Sequence, residues 1–106
     1  MSDLDLVFAA LADPTRRAIL TALLDDDRTV GELAAPHAMS LAAISKHLQI
    51  LTRAGLVRQT RAGRSTTCRL EPDALRGVGI WMQGLGGFDP EDYDALEALL
   101  GPLLDG

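Results

Sequence analysis

Residues 29–54 read TVGELAAPHAMSLAAISKHLQILTRA, and this stretch decides the fold. Thr29 is followed three residues later by Glu32, which is the spacing of a capping box at the start of a helix. We therefore expect a short helix over residues 30–35. The next four residues, 36–39, are expected to form a turn.

A longer helix follows this turn. Ser40 is a favourable N-cap residue, and the helix is expected to continue through Ala54 until Gly55 ends it. A short helix, a turn of a few residues and a longer helix are together typical of a helix-turn-helix, which here spans about residues 29–54.

The longer helix has one apolar face and one face that is small, polar and basic. At helical spacing, the apolar stripe consists of Leu41, Ile44, Leu48 and Leu51. The opposite face centres on Ala42, Lys46, Gln49 and Arg53, flanked by Ala43 and Ser45. Small side chains let a helix approach base edges, alanine methyls can meet thymine methyls, and Ser, Lys and Gln offer donors and acceptors to a major groove. The alternative is an ordinary solvated face, but such faces usually mix Glu with Lys, and this helix contains no acid.

The segment after the helix predicts a β-hairpin, or wing, over about residues 56–70. Residues 56–60 have strand character, 61–64 read as a tight turn, and 65–70 read as the returning strand. Arg61 and Arg64 at the tip would suit contact with DNA phosphates or with an adjacent minor groove. The alternative is an edge hairpin whose charges only keep it soluble.

Helices are expected on both sides of this unit. Apolar spacing predicts a first helix over about 3–12 and a second over about 14–24, the latter burying Ile19, Leu20, Leu23 and Leu24. Helical segments are also expected within about 72–104, and Trp81 is assigned there to the core or to a dimer interface. An amphipathic terminal helix on so small a domain is expected to pack against the first helix or against a second subunit.

The charge of the chain is divided along its length. The net charge is −5, which by itself argues against a nucleic-acid partner. Residues 1–27 nevertheless carry −4, residues 28–69 carry +6 and residues 70–106 carry −7. A basic centre between acidic ends is typical of a local anion-binding surface, whereas a solvated charged face would not predict so clean a division.

Several classes of protein are disfavoured by the sequence. A chain of 106 residues suits one domain, here 1–106. The apolar run that includes residues 7–12, like every other in the chain, is far shorter than a membrane span, and the N-terminus does not resemble a signal peptide. The single cysteine, Cys68, fits a cytoplasmic protein and is expected to pack as a small hydrophobic residue. No nucleophile–base pair, carboxylate dyad or phosphate-binding glycine loop occurs at a useful spacing, so we do not expect an enzyme.

The sequence resembles the ArsR/SmtB family of bacterial winged-helix repressors. The resemblance rests on ALADPTRR at residues 10–17, SKHLQIL at 45–51, AGLV at 54–57, RAGR at 61–64 and LEP at 70–72. It implies a homodimer built from the terminal helices, about 3–12 and 72–104, with two recognition helices on an inverted repeat of double-stranded DNA. The residues that it places at or near DNA are Ser40, Ala42, Ala43, Ser45, Lys46, His47 and Gln49 in the helix and Arg61 and Arg64 in the wing. Family members usually repress transcription until an inducer releases them.

The metal sites known in this family are not apparent in the sequence. Metal sensors of the family often carry a Cys-x-Cys pair in the short helix, but residues 30–34 contain no cysteine. Others place Asp and His ligands after the wing, where residues 72–84 offer only Asp73. We therefore expect no metal cofactor at these sites. A site assembled across a dimer from the acidic tail stays open, as does the identity of any small-molecule or protein effector.

The sequence as a whole predicts a mainly helical α+β protein, a winged helix-turn-helix with five to six helices and a two-stranded wing. The leading hypothesis is a dimeric DNA-binding repressor. The alternative is a winged-helix interaction module whose basic face docks an acidic protein partner.

Overall fold

The computed structural model describes residues 3–86, so the part of the predicted helical region 72–104 that follows residue 86 lies outside the described residues. The elements are α1 (Asp3–Leu11), α2 (Pro14–Ala22), β1 (Arg28–Thr29), α3 (Val30–Ala34), a 3-10 turn (Ala35–His37), α4 (Leu41–Arg53), β2 (Val57–Ala62), β3 (Ser65–Leu70) and α5 (Asp73–Gly84). The mainly helical α+β class and the winged helix-turn-helix order are confirmed. No helix within residues 3–86 is long and apolar enough to cross a membrane.

Side-chain caps fix where the helices of the helix-turn-helix begin. The hydroxyl of Thr29 accepts from the backbone N–H of Glu32 at 3.2 Å, and the Glu32 carboxylate accepts from the backbone N–H of Thr29 at 3.0 Å. The hydroxyl of Ser40 accepts from the backbone N–H of Ala43 at 3.1 Å. Each bond satisfies a donor that the first helical turn leaves unpaired, so both predicted starts are confirmed.

The first half of the helix-turn-helix ends slightly earlier than expected. The helix α3 stops at Ala34 instead of residue 35, and the chain tightens into the 3-10 turn that contains Pro36. Ala38 then adopts the left-handed conformation with φ of 51°, which turns the chain toward α4.

The second helix also ends earlier than the sequence predicts, at Ala22 instead of residue 24. Leu23 forms its C-cap and is buried, whereas Leu24 is 42% exposed. The prediction that Leu24 is buried was wrong, because the chain has left the helical register before it reaches this residue.

The wing belongs to a three-stranded sheet of order β1-β3-β2, where the sequence predicts only two strands. The additional strand, β1, pairs antiparallel with β3, placing Arg28 opposite Cys68 and Thr29 opposite Thr67. It anchors the base of the wing to the start of α3. The hairpin between β2 and β3 turns at Gly63, which has a positive φ of 61°.

The core lies between the buried stripe of α4 and the helices around it. Ile44, Leu48 and Leu51 are completely buried, together with Ile19 of α2. Leu41, the fourth member of the predicted stripe, is instead 61% exposed. That prediction was wrong because Leu41 begins the helix, one turn beyond the layer of side chains that covers the rest of the stripe.

The end of α4 is joined to the wing through one buried residue. Gly55 leaves the helix with a positive φ of 78°, a conformation that glycine adopts readily. The backbone N–H of Leu56 then donates to the carbonyl of Leu51 at 3.0 Å, and its own carbonyl accepts from the N–H of Glu71 at 2.8 Å. The side chain of Leu56 is fully buried, so helix and wing share a common anchor.

The helices α1 and α5 pack against each other. The rings of Phe8 and Trp81 meet edge to face, with centroids 5.5 Å apart. Trp81 nevertheless remains 46% exposed. It is therefore not a core residue in residues 3–86, and its assignment to a dimer interface stays a prediction.

The two ends of the predicted stripe of α4 should differ sharply in their effect on stability. Leu48→Ala removes a fully buried side chain and should lower the free energy of unfolding by about 2–5 kcal/mol. Leu41→Ala, the matched control on the same helix, should change it by less than about 0.5 kcal/mol. Urea denaturation followed by circular dichroism measures both. Similar losses for the two variants would contradict the observed placement of Leu41.

Candidate DNA-binding surface

The outward face of α4 is available to a partner. Ala42, Lys46 and Gln49 are exposed, and Ala43 and Ser45 are half-buried along one edge. Ser40 is exposed just before the helix, where its hydroxyl is engaged as the N-cap. The structure thus brings the predicted reading residues of α4 together on one surface, with the exceptions of His47 and Arg53 described below.

A cleft of about 330 Å³ joins the start of α4 to the wing. Ser45 and Arg64, both predicted site residues, line it together. The other lining residues are Thr29, Val30, Gly31, Leu41, Ser65 and Thr66. Hydroxyl groups and a guanidinium in one cleft are suited to the oxygen atoms of a nucleic-acid backbone.

Four residues that line this cleft are not predicted from the sequence as part of the surface: Thr29, Leu41, Ser65 and Thr66. Thr29 had been explained by its capping role and Leu41 by the apolar stripe. Ser65 and Thr66 are recognisable only from the strand pairing, in which Thr66 lies opposite Arg61 and Ser65 opposite Ala62. The signal that could have found them is their place directly after the turn of the hairpin.

The two arginines at the wing tip lie on exposed backbone. Arg61 and Arg64 flank the Gly63 turn, and the Nε of Arg61 donates to the carbonyl of Gly63 at 3.4 Å. Arg64 alone of the two lines the cleft beside α4. The tip therefore offers one guanidinium next to the helix and one on the hairpin itself.

The seven basic side chains of residues 28–69 do not form one continuous surface. Lys46, Arg61 and Arg64 make no ion pair within residues 3–86. Arg58, in contrast, is paired with Glu71 at 3.3 Å.

Arg28 and Arg69 lie near acidic groups or backbone carbonyls. Arg28 donates to the carbonyl of Ala22 at 3.1 Å and shares a cavity with Glu32. Arg69 shares a cavity with the three aspartates 25–27. Of the seven, Lys46, Arg61 and Arg64 neither pair with a carboxylate within residues 3–86 nor share one of the described cavities with one.

Arg53 is separated from the rest of the predicted site. It lies at the end of α4 opposite the cleft, about 18 Å along the helix axis from Leu41. There it lines a cavity between α1 and α5 together with Asp3 and Asp73. The structure does not bring Arg53 into the surface formed by the start of α4 and the wing.

His47 turns toward the helix bundle instead of the outward face. It is half-buried, and its Nδ1 lies 3.2 Å from Nη1 of Arg16 on α2. Because a guanidinium can only donate, Nδ1 of His47 is the acceptor of this hydrogen bond. One ring nitrogen of His47 is therefore occupied by a hydrogen bond from Arg16 of α2.

No metal centre is evident in the part of the chain that the structure describes. Across residues 3–86, no three His, Cys, Asp or Glu side chains converge as a ligand group. Cys68 is fully buried, and burial raises the pKa of its thiol, which favours the protonated form. Its packing as a small hydrophobic residue is the arrangement that the sequence predicts.

Asp13 caps α2 beside the Arg16–His47 contact. Its carboxylate accepts from the backbone N–H of Arg16 at 3.1 Å. This hydrogen bond, aided by the nearby positive charge of Arg16, holds the pKa of Asp13 below its ordinary value. The ionised carboxylate is thus the form that the folded state prefers.

The capping carboxylate should give stability a measurable pH dependence. Because the pKa of Asp13 is lowered in the folded state, its contribution is present at neutral pH and is lost as pH falls below about 4. Asp13→Ala should cost about 1 kcal/mol at neutral pH, and the difference from the wild type should shrink in acid.

Asp13→Asn is the matched control, because it keeps a capping oxygen without the titrating charge. Thermal unfolding across a pH series measures all three proteins. A wild type to Asp13→Ala difference that stays constant down to strongly acidic pH would contradict the assignment.

These features define a class of protein. A helix-turn-helix followed by a β-wing, with unpaired basic side chains on the second helix and at the wing tip, is the architecture of winged-helix DNA-binding proteins. A helix-turn-helix domain family matches residues 11–60 of the chain.

Similarity to known proteins identifies the family within this class. The chain is 37% identical to the HTH-type transcriptional regulator Rv2034 of Mycobacterium tuberculosis, over 79% of this chain and 83% of that protein. It is 38% identical to the transcriptional repressor SdpR of Bacillus subtilis, over 72% of this chain and 84% of the relative. A solved ArsR-like transcriptional regulator from Rhodococcus superimposes with a TM-score of 0.69 at 34% identity, covering 93% of this chain and 91% of the other. The chain belongs to the ArsR/SmtB family and is a DNA-binding transcriptional regulator.

Proposed function

We propose that the protein is a homodimeric repressor that binds an inverted-repeat operator and is released from it by an effector. The observation that carries this proposal is the continuity of the acid-free face of α4 with the Arg64 cleft. Exposed small and polar residues on α4 would read base edges in the major groove, and the wing arginines would hold the phosphate backbone.

Repression is the activity that the relatives favour for this chain. SdpR is named a transcriptional repressor. A repressor acts by occupying its operator, which requires the helix and the wing but no catalytic group. The described surface supplies those two elements, so we propose the same activity here.

Dimerisation is supported by the apolar surface on α5. Leu75, Ile80, Trp81 and Leu85 are large apolar side chains that stay exposed in residues 3–86, and Ile80 is 68% exposed. Several large apolar side chains left exposed along one segment are a feature of protein–protein contacts. A second copy of the chain, packed on α1 and α5, would cover it and would place two α4 helices on two successive half-sites of DNA.

The charge of α4 gives the sharpest test of DNA binding. Lys46→Glu places an acid on the outward face and should abolish binding to the operator while the protein stays folded and dimeric. Arg64→Gln should weaken binding and lower the slope of log affinity against log salt by about 0.9, the value for one phosphate contact. Gel-shift titrations over a salt series, on DNA selected by the wild-type protein, measure both effects.

Arg69→Gln is the matched control for these variants. It removes the same charge from the same hairpin, but Arg69 shares a cavity with the acidic residues 25–27, so affinity and salt slope should stay unchanged. Equal losses for Arg64→Gln and Arg69→Gln would argue for a diffuse basic face. A flat salt response by the wild type, with capture of an acidic protein instead, would favour the interaction-module alternative.

The proposed dimer interface can be tested on α5. Ile80→Asp adds a charge to its exposed apolar surface and should shift the protein from dimer to monomer in sedimentation velocity. Ala18→Asp adds the same charge at an exposed position of α2 and should leave the dimer intact. A monomeric wild type, or equal dissociation of the two variants, would overturn this interface.

A further inference from the structure

Arg16 connects three helices through its side chain. Its Nε donates to the carbonyl of Ala10 at 2.8 Å, and its Nη2 donates to the carbonyl of Ala9 at 3.0 Å. Both carbonyls belong to the last turn of α1. The remaining terminal nitrogen, Nη1, contacts Nδ1 of His47 on α4 at 3.2 Å.

Two of these contacts cap carbonyls at the end of α1, where the carbonyl of Ala9 also accepts from the backbone N–H of Ala12 at 3.3 Å. The last carbonyls of a helix have no intrahelical donor, and Arg16 supplies two of these donors from the start of the next helix. Because the rigid guanidinium fork is held by Ala9 and Ala10, the direction of Nη1 toward α4 is fixed as well. The end of α1 and the middle of α4 are thus tied to one planar group.

The contact also fixes the chemistry of the His47 ring. Arg16 has no acceptor atom, so Nδ1 of His47 accepts and the proton of the neutral ring resides on Nε2. The two nitrogens lie on opposite sides of the ring, and Nε2–H therefore points away from Arg16. His47 follows Lys46 directly in the chain. A shift of the His47 ring would therefore also shift Lys46 and the outward face of α4.

We propose that Arg16 is a positioning residue for DNA binding: acting through His47, it holds the recognition helix α4 in a fixed relation to the end of α1. The inference rests on the proposed function and deepens it. In a dimer built on α1 and α5, this link would connect the subunit contact to the helix that reads DNA.

Arg17 provides a matched control within the same motif. Its Nη1 donates to the carbonyl of Leu11 at 2.8 Å, so it also caps the end of α1. Its recorded side-chain hydrogen bond goes to α1 and not to α4. A role limited to helix capping would make Arg16 and Arg17 equivalent, whereas the proposed link to α4 makes them different.

The test is a double-mutant cycle on operator affinity. Arg16→Lys keeps the charge, but an ammonium cannot hold three acceptors in the geometry of the guanidinium. We expect it to weaken binding about tenfold, the effect of losing one hydrogen bond to a charged group. The salt slope should not change, because no charge is lost, and Arg17→Lys should stay within about twofold of the wild type.

The His47→Phe background isolates the link itself. Phenylalanine keeps the ring but removes the acceptor, so Arg16→Lys should weaken binding less than about twofold in this background. All variants are compared at a temperature where circular dichroism shows them folded. Equal costs of Arg16→Lys in both backgrounds, or equal costs of Arg16→Lys and Arg17→Lys, would overturn the proposal while leaving DNA binding in place. A wild type that binds no DNA would overturn the proposed function as well.

The wild-type protein alone offers a second measurement, which does not depend on any variant folding. Long-range ¹H–¹⁵N NMR spectra distinguish the two neutral tautomers of histidine. At mildly alkaline pH, His47 should show a protonated Nε2 and an unprotonated Nδ1. The opposite tautomer would exclude the Arg16 hydrogen bond and with it the proposal.

Discussion

The buried stripe of α4 is the constraint on which the rest of the structure depends. Ile44, Leu48 and Leu51 are withdrawn from water completely, and burial of three such side chains contributes several kilocalories per mole to folding. Once this stripe is fixed against the surrounding helices, the opposite face of the helix must lie outward. The surface that we propose to read DNA is therefore a consequence of the core, since one helix supplies both.

The sequence predicts best those features that depend on neighbours along the chain. The capping pair Thr29–Glu32 and the cap at Ser40 are local, and both helix starts were found from spacing alone. The side chains that were misplaced, Leu24 and Leu41, lie at helix ends. Periodicity cannot show there whether another element covers a residue, because that depends on contacts far away in the sequence.

The same limit applies to the candidate site. The clustering of basic residues in the middle of the chain is visible in the sequence, and it predicts that α4 and the wing bind an anionic partner. Which of these charges lie near carboxylates is set by the fold: Glu71 pairs with Arg58, and Arg53 lines a cavity together with Asp3 and Asp73. The two-residue strand β1 was missed for the related reason that its pairing with β3 carries no signal of its own.

The anchor at Leu56 joins α4 and the wing into one structural unit. Its backbone forms hydrogen bonds with Leu51 on one side and with Glu71 on the other. The distance between helix and hairpin is therefore determined by the fold. If the distance between α4 and the wing is fixed, the DNA must adopt the groove width that matches this distance. In the proposed complex, base steps that no side chain touches would then affect affinity through their stiffness, because some sequences adopt the required groove at lower elastic cost than others.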